Sequence, residues 1–162
     1  MPSEDLVIQN APDADVATRV RGAIATFLEV DELLFKVDAN ERSLTHRLAL
    51  HLTPAFPDWD VDCEYNRKGF DQKKIVHALG DEGEPNGTNG SRVFPDIVIH
   101  QRTRPAKNLL VIEVKKSTSN ESDDADLKKL QLLRDQLGYS RALFLRFVCG
   151  AEGPAVERAV WC

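Results

Sequence analysis

Cysteine is scarce in this chain. There are three, Cys63, Cys149 and Cys162, and none belongs to a CxxC pair. An odd count without paired spacing excludes a disulfide framework and a cysteine-based zinc cluster, and it fits reduced thiols in a cytoplasmic compartment. Long apolar runs are missing too: no segment approaches the ~20 residues that cross a bilayer. The start, M-P-S-E-D-L-V-I-Q-N, lacks a basic stretch followed by an apolar one, so no membrane association is expected. Positive charge is not in excess either. With 21 Lys and Arg against 26 Asp and Glu, the formal net charge is −5. That argues against holding nucleic acid by bulk charge, while leaving room for local basic patches beside an acidic cation site. Neither GxGxxG nor GxxxxGK[ST] occurs, which removes the familiar phosphate-cradling loops. No internal repeat is visible.

What is present is the composition of a globular chain: 162 residues, 42% apolar and 29% charged, enough to bury one core without staples. Residues 1–12, with Pro2 and Pro12 as breakers, read as a loose N-terminal segment ahead of a single domain over 13–162. From Asp13, the residues Val16, Val20, Ala23, Ile24, Phe27 and Leu28 recur at helical spacing to about Val30. The following D-E-L-L-F-K-V-D fits a second helical segment or a short strand equally. Asp38 to Glu41 fits a helix start, and that helix is expected to reach about Leu52 before Pro54 and Pro57 stop it. Leu44, Leu48 and Leu52 form its apolar stripe, with Glu41 at the stripe's centre.

Next, W-D-V-D-C-E-Y-N alternates, with Trp59, Val61, Cys63 and Tyr65 on one face and Asp60, Asp62, Glu64 and Asn66 on the other. This is the pattern of a half-buried strand. Ile75 to Leu79 allows a further brief element. Residues 80–91 carry turn chemistry almost throughout and read as a flexible loop. A later helix is capped by Ser122 or Asp123, striped by Leu127, Leu130, Leu133 and Leu137, and closed by Gly138. Its Lys128, Lys129 and Arg134 are expected to point away from the core. R-A-L-F-L-R-F-V-C reads as a strand reached by a β-α-β crossover. The tail over 152–162 is expected to form a last helical turn.

The centre of the chain is the stretch from Phe94 to Lys116. F-P-D-I-V-I-H and N-L-L-V-I-E-V-K-K are strongly apolar strands interrupted by charges. Glu113 and Lys115 lie two residues apart and so share a face. Charges in such runs are costly unless compensated, and a metal ion bound by carboxylates is one such compensation.

The order helix, strand, strand, strand, helix, strand, with Pro95-Asp96 on the second strand and Glu113-x-Lys115 on the third, resembles the PD-(D/E)XK nuclease superfamily. The resemblance covers roughly Glu41 to Cys149. It implies an α/β, restriction-endonuclease-like core with a central mixed sheet of about four strands flanked by helices. It implies a metal-dependent nuclease that hydrolyses DNA phosphodiester bonds, and the motif does not name the target sequence or structure. Asp96 and Glu113 match the family's metal-binding acids, Lys115 its catalytic lysine, and Glu41 its helix-borne acid. The Val114 carbonyl would be a further ligand, and oxygen donors of this kind suit Mg²⁺ or Mn²⁺. The Q-x-x-x-Y spacing of exonuclease-like members is absent. No recognition module is visible, so target choice falls to a homodimer, a partner protein or loops such as 80–91.

Bland readings stand beside these. Glu41 can be simply a first-turn carboxylate favoured by the helix dipole. Glu64 is a supplementary acid or part of a solvated face. Arg67, Lys68, Lys73 and Lys74, and Arg92, Arg102, Arg104 and Lys107, form two basic clusters that either contact phosphate or merely solvate loops. His46, His51, His77 and His100 read as surface or rim residues. The competing function is a catalytically silent nucleic-acid or protein interaction module on the same fold.

Overall fold

Helix α1 (Ala14–Val30) starts where the periodicity places it. The Asp13 carboxylate accepts the Val16 amide at 3.1 Å, satisfying a donor that has no partner within the helix. The ambiguous stretch becomes a helical turn, α2 (Glu32–Lys36), with Phe35 buried. Helix α3 (Glu41–Ala55) is capped by Asn40, whose side chain accepts from the Ser43 amide at 2.8 Å. Asp38, the expected cap, instead adopts a left-handed φ of 53° and binds Lys116. Helix α3 also runs past Leu52 and ends just beyond Pro54. The computed structural model describes residues 1–65, 67–68, 71–72, 74–75, 91–92, 94–104 and 106–162. The expected loop over 80–91 and element over 75–79 lie outside these, apart from Ile75 and Ser91.

Five strands form one mixed sheet: β1 (Asp60–Cys63), β2 (Ile97–His100), β3 (Asn108–Lys116), β4 (Arg141–Val148) and β5 (Ala155–Trp161), hydrogen-bonded in that order. All neighbours are antiparallel except β3 and β4, which run parallel. That parallel step is made by helix α4 (Asp124–Leu137), which ends on Gly138 at a left-handed φ of 73°, a conformation without penalty for glycine. Two short ladders pair Arg67–Lys68 with Asp71–Gln72 and Lys74–Ile75 with Ser91–Arg92.

Helices cover both faces of the sheet. Leu44, Leu48 and Leu52 of α3 and Ile24 and Phe27 of α1 pack on Ile97, Ile112, Leu145 and Phe147. On the opposite face Leu130, Leu133 and Leu137 of α4 meet Val98, Val111 and Phe144. The chain is thus α/β, with five strands where about four were expected.

The fifth strand corrects the tail, which pairs antiparallel with β4 through Phe144↔Val160 and Arg146↔Arg158 and is not helical. Without it, β4 would present an unpaired edge. The first residues are corrected as well. Ser3–Val7 form a 3₁₀ helix docked on β5, with the Val156 amide on Ser3 Oγ at 3.0 Å and Trp161 Nε1 on the Val7 carbonyl at 2.8 Å. Val7 is fully buried, so burial of this side chain holds a segment read as loose. No helix among the described residues is long and apolar enough to cross a membrane.

Candidate functional site

Strands β2 and β3 part company one residue after Pro95-Asp96. Their register runs from His100↔Asn108 to Ile97↔Ile112 and stops. Proline cannot donate to a ladder, and Asp96 uses its side chain where backbone pairing would continue: Oδ2 accepts the Val114 amide at 2.8 Å. Two residues further along the same edge, Glu41 Oε2 accepts the Lys116 amide at 3.0 Å. The other edge of β3 remains paired with β4. The two carboxylates therefore cap successive amides of an open edge, roughly 6–7 Å apart along the strand. In an extended chain the carbonyl of Val114 lies on that same edge, between them.

Glu113 is 3% exposed and touches Asp96 directly, its Oε1 accepting the Asp96 amide at 3.2 Å. Burial, and then the negative charge of Asp96, push the Glu113 carboxyl up from 4.5 to about 8. Burial raises Asp96 as well, although the Val114 amide and the charge of Lys129 pull the other way. Two desolvated acids side by side resist ionising together.

The cation that answers them comes from α4. Lys129 Nζ lies 2.9 Å from Glu113 Oε1 and 3.0 Å from the Phe94 carbonyl. This corrects the expectation that Lys129 points away from the core. Asp126 and Lys129 stand three residues apart, on the side of α4 that also carries Leu130 and Leu133, and that spacing was the available signal.

Lys115 is as buried as Glu113, and the two do not pair with each other. Lys115 Nζ contacts Asp126 Oδ2 at 2.6 Å and the Ser122 carbonyl at 3.1 Å, with Glu121 at 3.8 Å. Burial alone would lower its pKa, but the Asp126 hydrogen bond and the charges of Asp126, Glu121 and Glu41 raise it overall, so the ammonium is fully charged. Lys116 points the other way and pairs with Asp38 at 3.0 Å.

A cavity of about 330 Å³ opens beside this edge, lined by Glu41, Arg42, Thr45, His46, Cys63, Glu64 and Asp96. Glu41 and Asp96 thus face one space from different elements. Glu64 joins them because it adopts a φ of 51° and donates its amide to the Asp96 carbonyl at 3.1 Å. The same turn ends the alternation of β1. Tyr65 consequently packs on His100, with ring centroids 4.5 Å apart, on the face expected to carry the polar residues Asp60, Asp62, Glu64 and Asn66.

The remaining candidates scatter. Arg102 Nε donates to Asp62 Oδ2 at 2.9 Å, and its backbone amide donates to Asp60 at 3.0 Å. His100, read as a rim residue, is 2% exposed and bonds Asp62 at 2.7 Å. It lies on the same side of its strand as Val98, against Asp62 and Tyr65. Arg104 is exposed in the turn before β3. Arg67, Lys68, Lys74 and Arg92 lie in the two short ladders, whereas Lys73 and His77 lie outside the described residues. His51 bonds Asp31 at 2.6 Å, and His46 is exposed at the cavity rim.

Hard oxygen donors on an open strand edge suit Mg²⁺ or Mn²⁺ better than softer metals. Asp96 and Glu113 fit such an ion as an adjacent, under-neutralised pair. Among the described residues, however, no group of three His, Cys, Asp or Glu side chains is gathered closely enough to hold a metal, so Glu41 stands apart from the pair. Comparison with known proteins found no matching family model, no similar curated protein and no similar solved structure.

Proposed function

We propose that the chain is a metal-dependent nuclease that hydrolyses DNA phosphodiester bonds, on a restriction-endonuclease-like core. The observation that carries this reading is the meeting of Asp96 and Glu113 where β2 and β3 diverge, a half-buried and a buried carboxyl group side by side, with one ammonium, that of Lys129, on Glu113. The order α3, β1, β2, β3, α4, β4 supports it, being the order that the resemblance implies.

Asp96 and Glu113 would hold the ion, with the Val114 carbonyl and Glu41 on the same edge. A divalent cation there supplies charge neutralisation for the scissile phosphate and a more acidic bound water. Lys115 contributes a compact cation for the charge that develops on phosphorus-bound oxygen, and its three donors can orient a water. Asp126 keeps that ammonium charged and fixed. Glu41 and Asp96, by capping β3 amides, hold their carboxylates rigidly against the strand.

The test is incubation of the full chain with labelled single-stranded, double-stranded and branched DNA, in Mg²⁺ or Mn²⁺ against EDTA. Metal-dependent cleavage is expected, and Lys115→Ala should slow it by about 10²–10³-fold while leaving metal binding in place. Absence of cleavage of all three substrates by the wild-type chain counts against the reading.

One observation favours a silent interaction module instead: Glu113 and Lys115 already have partners on α4, and Glu41 and Asp96 are occupied as edge caps. Metal binding without turnover on any nucleic acid would select that reading.

A further inference from the structure

Lys129 is the one side-chain cation bonded to the Asp96–Glu113 pair among the described residues, and its setting is asymmetric. Its Nζ donates to Glu113 Oε1 at 2.9 Å and to the Phe94 carbonyl at 3.0 Å. The acid it serves is almost wholly enclosed, with 4% of its side chain exposed, whereas the Lys129 side chain is 27% exposed. The flanking Phe94 is 52% exposed. Lysine carries its charge on a flexible stem of four carbons. Its ammonium can therefore move into solvent without disturbing Leu130 or Leu133, which keep α4 packed on the sheet.

An ammonium and a divalent cation cannot both be held closely by one carboxylate without mutual repulsion in a poorly solvated site. The pair carries two potential negative charges and needs a cation in either state. One is built into the fold.

We infer that Lys129 is the tethered counter-cation of the Asp96–Glu113 pair, and that its ammonium withdraws from Glu113 when a divalent ion binds. This rests on the metal-dependent reading above and deepens it. Helix α4 thereby holds the site in two ways: Lys129 covers the acids, and Asp126, three residues earlier on the same side, holds Lys115. Lys129 is a positioning residue in this scheme. It stabilises the chain without metal and weakens metal affinity.

The test uses the full wild-type chain with Lys129→Met and Lys129→Arg. Each is titrated with MnCl₂ alone by calorimetry, and each is melted in EDTA. Lys129→Met should melt at a lower temperature in EDTA yet bind Mn²⁺ about tenfold more tightly, the scale of one charge-assisted hydrogen bond. Lys129→Arg keeps the charge and should remain near wild type in both. A merely structural lysine would lower the melting temperature without raising affinity. Unchanged or weaker Mn²⁺ binding by Lys129→Met, with wild type binding normally, overturns the inference and leaves the nuclease reading standing. Failure of both wild type and Lys129→Met to bind Mn²⁺ overturns the metal-dependent reading and this inference together.

A second measurement does not need the variant to fold. In ¹³C-dimethyl-lysine NMR of the wild-type chain, saturating Mg²⁺ should move the Lys129 resonance toward that of a solvated lysine. A Lys129 resonance unmoved by saturating Mg²⁺ overturns the displacement.

Discussion

Glu113→Gln should stabilise the metal-free protein at neutral and alkaline pH. In the folded chain burial and Asp96 push the Glu113 carboxyl from 4.5 up to about 8, while the unfolded chain titrates near the ordinary value. Between these two values the folded state binds a proton that the unfolded state has lost. Stability therefore falls as pH rises through this window, by about 1.4 kcal/mol per pH unit. Below the window the penalty is absent, and above it the penalty is complete. The amide cannot ionise, so it escapes the penalty while still offering an oxygen to the Asp96 amide. The gap between variant and wild type should open from nothing near pH 4.5 to about 3 kcal/mol at pH 7 and about 5 kcal/mol beyond pH 8. Urea unfolding of both proteins in EDTA across that range measures it directly. If the two proteins lose stability in parallel from pH 5 to pH 8, Glu113 does not carry the raised pKa and the electrostatic account of the site fails.

Two further predictions concern the fold around the site. Removing residues 1–7 strips the buried Val7 and the Trp161 bond to its carbonyl from β5, and should cost about 2–4 kcal/mol in denaturant unfolding; a loss near zero would return these residues to the status of a loose segment. Asp62 responds to pH in the opposite sense to Glu113: burial opposes its charge, but the Arg102 and His100 bonds outweigh burial and hold its pKa below 3.8. Its stabilising contribution is therefore present above the ordinary value and lost as pH falls through the lower folded one. Asp62→Asn should cost about 1–3 kcal/mol at pH 7, with the gap to wild type closing in strong acid; a gap independent of pH would contradict the pairing.

Legibility in the sequence followed the strength of the pattern. The leucine stripes of α3 and α4 and the Val- and Ile-rich runs of β2 and β3 are regular, so these elements stood out. Asp96, Glu113 and Lys115 stood out because they interrupt such runs. The tail misled because Ala155 and Ala159, like Val156 and Val160, recur at four-residue spacing, which imitates a helix. The register shift at Arg146/Phe147 instead lets a strand bury Val156 and, further along, Ala159 and Trp161 against the main core. Local backbone events were hidden likewise: the φ of 51° at Glu64 redirected Tyr65, which packs on the buried His100. Lys129 was missed because a lysine on an amphipathic helix normally faces water. Only the tertiary position of Glu113 gives it a partner.

The charge around the end of β3 separates this corner from the other ion pairs on the α4 side of the sheet. Asp123 meets Arg146 and Arg158, and Arg146 also meets Glu157, so positive and negative groups there match in number. Asp60 and Asp62 are answered by Arg102 and His100. At the candidate site the balance fails in one direction. Asp96 and Glu113 share Lys129, Lys115 faces both Asp126 and Glu121, and Glu41 meets a backbone amide. Holding that surplus against the buried Glu113 costs several kcal/mol, and apolar side chains packed there would carry no such cost. The same surplus repels a phosphodiester until a cation offsets it. On the metal-dependent reading proposed above, the cation would bind before, or together with, the nucleic acid, and the surplus that weakens the metal-free fold would hold it there.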